Sequence, residues 1–265
     1  MSIVPHQPIG VFDSGLGGLT VLQSLRARLP DEDFIYFADT RHLPYGDKPE
    51  TFIQTRAQRI SAALAEHGGC KAIVVACNTA TAAAAESIRA RLAMPVVALE
   101  PAIKPAAALT RNGILGVLAT THTLASRRFA QLVKNHAAGT TVITQACPGL
   151  AETIEAEGPG SAKVETLLDA YVRPLANANA DVVVLGCTHY PWVKTGIVQR
   201  LPPETTVVDT GEAVARQLER RLKETGIPGG GDGQLRFATS GDAFQVGATL
   251  VRLCGIFMPV ESWMI

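Results

Sequence analysis

The five cysteines of this 265-residue chain are an odd number, and their spacing matches neither a disulfide framework nor a CxxC metal knuckle. Charge of one sign is not in excess: 24 basic residues face 24 acidic ones. That balance gives no reason to expect nucleic acid or an anionic membrane as a partner. Long apolar runs are missing too, the longest being strand-length and far short of a bilayer span. The opening residues, Met1-Ser2-Ile3-Val4-Pro5-His6-Gln7-Pro8, hold no basic segment followed by an apolar core, so no secretory signal is expected. No GxGxxG or Walker lysine stands at the required spacing, and no lysine occupies an evident pyridoxal-phosphate motif. Together these absences predict a reduced cytoplasmic enzyme without cofactor or resident metal.

What the chain does have is alternation. Short β-rich runs are expected at 9–12, 34–37, 72–76, 96–99, 114–118, 141–144, 182–185, 206–208 and 234–238. Helix-length segments rich in Ala, Leu, Arg and Glu lie between them, among them 20–29, 52–66, 80–92, 162–175 and 212–224. Strand–helix alternation predicts an α/β fold of parallel sheets covered by helices. The length suits one large domain or two small ones. Residues 227–233, IPGGGDG, read as a flexible surface turn.

Two apolar runs end alike. Ile73-Val74-Val75-Ala76 leads into Cys77-Asn78-Thr79, and Val182-Val183-Val184-Leu185-Gly186 leads into Cys187-Thr188-His189. β-branched runs of this kind read as buried parallel strands, and open α/β sheets place ligands just beyond such strand ends. The chain also repeats weakly: Ile9-Gly10-Val11-Phe12-Asp13-Ser14 is similar to Leu115-Gly116-Val117-Leu118-Ala119-Thr120. Gly10 precedes Cys77 by 67 residues and Gly116 precedes Cys187 by 71. Two related half-sites are therefore expected, one per lobe, flanking a single cleft. A thiol in each makes a pair of acid/base groups facing one substrate.

Other segments supply polar groups. Asp13-Ser14-Gly15-Leu16-Gly17-Gly18 follows the first strand. Either Asp13 or Ser14 caps the next helix there, or Asp13 faces a ligand or a thiol. Cys77 precedes the strong helix former Ala82-Ala83-Ala84-Ala85, and a helix N-terminus favours thiolate over thiol. Pro191 is placed to open a helix behind His189. Leu43-Pro44-Tyr45-Gly46-Asp47 is a turn-rich loop, either an ordinary surface turn or a closure over a small ligand. Glu155 lies in an expected helix, where a solvated surface carboxylate is the default.

These pieces in this order resemble the glutamate racemases, a branch of the aspartate/glutamate racemase family. The similarity runs through FDSGLGGLTV, ADTRHLPYGDK, VVACNTATA, GVLATTHTLAS, CPGLAETIEAEG and LGCTHYP. It implies two pseudo-twofold-related α/β lobes, residues 1–97 plus 208–265 and residues 98–207, with the active site in the interlobe cleft. It also implies Cys77 and Cys187 as acid/base thiols, Asp13 supporting the first, His189 and Glu155 the second. Substrate contacts then fall on Asp13, Ser14, Pro44, Tyr45, Gly46, Asn78, Thr79, Thr120, Thr123, Thr188 and His189. The implied activity is cofactor-independent interconversion of L- and D-glutamate by a homodimer, supplying D-glutamate for peptidoglycan; the alternative is an aspartate or hydantoin racemase. The chain departs from the usual GTxGT at Ala119-Thr120-Thr121-His122-Thr123, and from the usual Val-Pro at Ala151-Glu152.

Overall fold

A computed structural model describes residues 7–265; residues 1–6, on which the reading of no secretory signal largely rests, lie outside the described residues. In chain order the strands and helices are β1 (Ile9–Asp13), α1 (Leu19–Arg28), β2 (Phe34–Ala38), α2 (Glu50–Glu66), β3 (Ala72–Val75), α3 (Asn78–Arg91) and β4 (Val96–Ala98). There follow α4 (Ile103–Leu109), β5 (Ile114–Ala119), α5 (Thr121–Ala125), α6 (Arg127–His136), β6 (Thr141–Ala146), α7 (Leu150–Glu157) and α8 (Ala162–Asn177). The chain ends with β7 (Val182–Gly186), α9 (Lys194–Gln199), β8 (Thr206–Val208), α10 (Gly211–Glu224), β9 (Leu235–Thr239), α11 (Ala243–Cys254) and β10 (Val260–Ser262). Short 3-10 turns cover Thr40–His42 and Tyr190–Val193.

Two compact units result, each a parallel sheet flanked by helices. One runs up to Leu99 and resumes at Gly211–Ile265; the other is Glu100–Thr210. The first sheet has the order β10-β9-β2-β1-β3-β4 and the second β6-β5-β7-β8, with every pairing parallel. The central order is the same in both: the unit's first strand lies between its second and third. That makes β1/β3 and β5/β7 the points where the winding reverses, the position at which open α/β sheets bind ligands.

Burial explains the elements. β1, β2, β3 and β7 are buried along their whole length, as near-continuous apolar runs in doubly covered sheets require. On α2, Ile53, Ala57, Ile60 and Leu64 recur at three- and four-residue spacing and enter one core with Phe12, Ile73 and Val75. Val164, Leu168, Val172 and Leu175 do the same for α8 beneath Leu118, Val183 and Leu185. Ser161 caps α8 and Asp242 caps α11, each accepting a backbone N–H with its side-chain oxygen.

Two expectations change. Val260–Ser262 carries no apolar run, yet it adds β10 by pairing with β9 at Val260–Phe237, and Trp263 behind it packs on Phe37 at 5.8 Å between ring centroids. Residues 227–233 are pinned rather than free: Asp33 Oδ1 accepts the N–H groups of Asp232 (3.0 Å) and Gln234 (2.8 Å), and Lys71 Nζ donates to the Pro228 carbonyl at 3.0 Å.

Candidate active site

In the first unit, Asp13 ends β1 beside β3, whose chain continues to Cys77. Asp13 is fully buried. Its Oδ1 accepts the Ser14 N–H at 2.7 Å and its Oδ2 the Gly18 N–H at 2.6 Å. Gly18 itself begins α1 without a side-chain cap, so neither Asp13 nor Ser14 caps that helix as the simplest reading had it. A Cβ at Gly18 would stand 2.8 Å from Tyr36 Oη and 2.9 Å from Asp13 Cβ. Glycine is what lets the turn close over the carboxylate.

Cys77 caps α3 with its own sulfur, which accepts the Ala80 N–H at 3.4 Å and stands 3.8 Å from Ser14 Oγ. The helix terminus does not win here. Burial first, and the negative charge of Asp13 second, raise the Cys77 pKa above the ordinary thiol range. The expected bias toward thiolate is thus reversed, and Cys77 rests as a thiol. Next to it, the Asn78 side chain is buried and neither end of its amide has a hydrogen-bond partner among the described residues. Buried polar groups without partners are rare, so both a donor and an acceptor stand unused beside the thiol.

The loop at 43–47 is held from beneath. Tyr45 is buried, and its hydroxyl donates to Asp39 Oδ2 at 2.6 Å. Arg56 on α2 grips the same carboxylate with two bonds, Nε to Oδ2 at 3.1 Å and Nη2 to Oδ1 at 2.6 Å. His42 Nδ1 lies 3.1 Å from Oδ1. Burial pushes the Asp39 carboxyl pKa up, but the bonds from Arg56, Ser240 and Tyr45 outweigh it and hold it below the usual range. An ordinary surface turn is therefore not what the structure contains.

In the second unit, β5 and β7 run side by side to Ala119 and Gly186, so Thr120 and Cys187 emerge from adjacent strand ends. Thr120 caps α5 and also donates to Thr123 Oγ1 at 2.9 Å. Cys187 Sγ lies 3.7 Å from His189 Nδ1, and His189 Nε2 lies 2.5 Å from Glu155 Oε1. All three side chains are buried, as is Thr188. Burial works against a charged ring, but the bonds to Cys187 and Glu155 and the Glu155 charge carry the His189 pKa well above its ordinary value. Glu155 is therefore the partner of His189, and not the solvated carboxylate its helix suggested.

A sequence profile of the Asp/Glu/Hydantoin racemase family matches residues 14–218. The chain belongs to this family. It is an amino-acid racemase, an isomerase. A glutamate racemase from Pseudomonas paraeruginosa is 52% identical over 235 residues, 88% of each chain. One from Stutzerimonas stutzeri is 47% identical over 255 residues, 96% of each. Among solved structures, a glutamate racemase from Bacillus anthracis matches with a TM-score of 0.88 at 30% identity, covering 98% of both chains. Another from Francisella tularensis, in complex with D-glutamate, matches with a TM-score of 0.85 at 29% identity over 98% of both.

Within this racemase the sequence-derived residues fall into two groups. Asp13, Ser14, Cys77, Asn78 and Thr79 gather at the β1/β3 ends, with Pro44, Tyr45 and Gly46 on the loop after β2. Thr120, Thr123, Cys187, Thr188, His189 and Glu155 gather at the β5/β7 ends. The Asp39–Arg56 pair was not foreseen, although Asp39 follows a strand end and Arg56 sits on the buried face of α2 with Ile53 and Ile60. Cys147 and Tyr190 were also passed over. Both are buried in the core that holds Cys187. Burial pushes the Cys147 thiol up to about 12, against the side-chain bond it shares with the Tyr190 hydroxyl. Among the described residues no cluster of three or more His, Cys, Asp and Glu could hold a metal ion, and no helix is long and apolar enough to cross a membrane.

Proposed function

We propose that this racemase interconverts L- and D-glutamate without a cofactor, with Cys77 and Cys187 as its two acid/base groups. The observation that carries this reading is the contrast between the thiol environments. Cys187 has the His189–Glu155 pair beside it, so a cation is at hand for charge on its sulfur. Cys77 has the Asp13 carboxylate nearby, which favours the protonated thiol. One thiol is set to remove a proton and the other to deliver one.

For L-glutamate, the Cys187 thiolate takes the Cα proton and becomes a thiol, while the Cys77 thiol gives its proton to the opposite face of Cα and becomes a thiolate. For D-glutamate the roles exchange. Positioned proton transfer accounts for roughly 10²–10⁴ of the acceleration; oriented donors excluding water supply more by stabilising the carbanionic transition state. The unpaired Asn78 amide, with Thr79, Thr120, Thr123 and Thr188, suits the α-carboxylate and ammonium groups of the substrate. Ser14 and the Pro44–Gly46 segment complete the same set.

Glutamate is preferred over aspartate or a hydantoin because relatives about half identical over most of the chain are glutamate racemases. A role in supplying D-glutamate for peptidoglycan, a cytoplasmic location and a homodimer are parts of the same proposal. A circular-dichroism assay on L- and D-glutamate without added cofactor tests it, with D-aspartate as comparison. Loss of optical signal from both glutamate enantiomers supports the reading. Turnover of aspartate but not glutamate overturns it.

A further inference from the structure

A cavity of about 520 Å³ opens in the first unit behind the Tyr45 loop. Arg41, His42, Arg56 and Arg59 line it, with Phe52 and Trp263 among its apolar walls. No acidic side chain among the described residues lines it. Arg56 is spoken for by Asp39 and by the main-chain oxygen of Ile265, to which its Nη1 donates at 2.6 Å. The guanidinium groups of Arg41 and Arg59 have no ion-pair partner among the described residues. Guanidinium forks match carboxylate and phosphate oxygens two at a time. The Phe52 ring, with Met264 and Ile265 in the same lining, favours an apolar body attached to that anionic group.

We propose that this cavity binds a small organic anion, a phosphate or carboxylate group carried on a flat apolar body, held by Arg41 and Arg59. The site is distinct from the groups around Cys77: none of Asp13, Ser14, Tyr45, Cys77 or Asn78 lines the cavity. It is nonetheless two bonds away from the substrate loop. Arg56, in its wall, holds Asp39, and Asp39 holds the Tyr45 hydroxyl. An anion that draws on Arg56 or His42 competes with Asp39 for their N–H groups and loosens the anchor of Tyr45. Occupancy therefore raises the KM for glutamate while changing kcat little. That second half rests on the reading of glutamate as substrate; the binding half does not.

Calorimetric titration of the full chain with 1-naphthyl phosphate, in the absence of glutamate, tests the site. Saturable one-site binding is expected, weakened at least about tenfold in Arg41→Ala/Arg59→Ala, since the bonds to two charged groups are lost. Inorganic phosphate is expected to bind more weakly than 1-naphthyl phosphate, and neutral 1-naphthalenemethanol not to bind. Both arginines are exposed, so the double variant keeps its far-ultraviolet spectrum and its turnover. Absence of saturable binding, or equal affinity in the double variant, overturns the site. Binding with an unchanged KM overturns its coupling to the loop. A chain that binds 1-naphthyl phosphate but does not turn over glutamate contradicts the proposed function and leaves the site standing.

Discussion

Glu155 Oε1 and His189 Nε2 are 2.5 Å apart and buried, and the other ring nitrogen of His189 faces Cys187 Sγ at 3.7 Å. The carboxylate keeps the imidazole charged, and the charged imidazole accompanies the sulfur. Glu155→Gln removes the charge and retains the shape. The variant is expected to lose roughly 10–100-fold in kcat for L-glutamate, the worth of a bond to a charged group. Its pH–rate profile in that direction should shift toward lower pH as the His189 pKa falls back. Glu152→Gln, one turn away from no such partner, should leave both unchanged.

The same pair makes stability depend on pH. The folded pKa of His189 lies well above the unfolded value of ~6.5. Its stabilising contribution is therefore complete below about pH 6.5 and is lost as pH rises through the raised folded value. Urea midpoints should fall between neutral and alkaline pH in the wild type, and fall less in Glu155→Gln. A wild-type midpoint that rises over this range would contradict the assignment.

Cys77→Ala and Cys187→Ala are each expected to lower racemisation by at least ~10²–10⁴-fold in both directions. Each sulfur sits in a packed core, so a loss of about 1 kcal/mol in stability is expected without loss of the fold. Circular dichroism and urea unfolding separate these effects from a general collapse. Substantial turnover left in either variant would remove that thiol from the mechanism.

Asp39→Asn leaves the buried Arg56 guanidinium without its counter-charge, which costs ~3–5 kcal/mol. Asn keeps one acceptor oxygen where Tyr45, Arg56 and His42 share two, so the hold on Tyr45 weakens and the KM for glutamate should rise. Arg56→Met alone should be comparably costly, and the double variant should recover part of the loss, because the two residues act as one unit. Urea unfolding of the four proteins measures the coupling; strict additivity would show the pair to be independent.

The strand ends were legible because burial writes itself into composition: Ile73–Val75 and Val182–Leu185 need water-free faces on both sides, and polar residues follow at once. Cys77 and Cys187 stood out for that reason. The buried ion pair did not, since Asp39 and Arg56 are 17 residues apart and meet only when α2 packs against the first sheet. Glu155 was hidden by the same limit: helical spacing gives its face, while its partner 34 residues later gives its chemistry. The charge state of Cys77 was misread because a helix terminus is visible in sequence, whereas the desolvation and the Asp13 charge opposing it are properties of the folded site. β10 escaped notice because three residues of mixed polarity become a strand only through the edge they join.

The division of labour between two thiols is tested most directly by running the reaction on L-glutamate in D₂O and following Cα by proton NMR from the first turnover. One thiol removing protium while another, already exchanged with solvent, delivers deuterium predicts D-glutamate carrying deuterium at Cα, with the remaining L-glutamate still protiated. D-glutamate that keeps the original protium would mean a single base carrying one proton around the carbon, and would contradict the account.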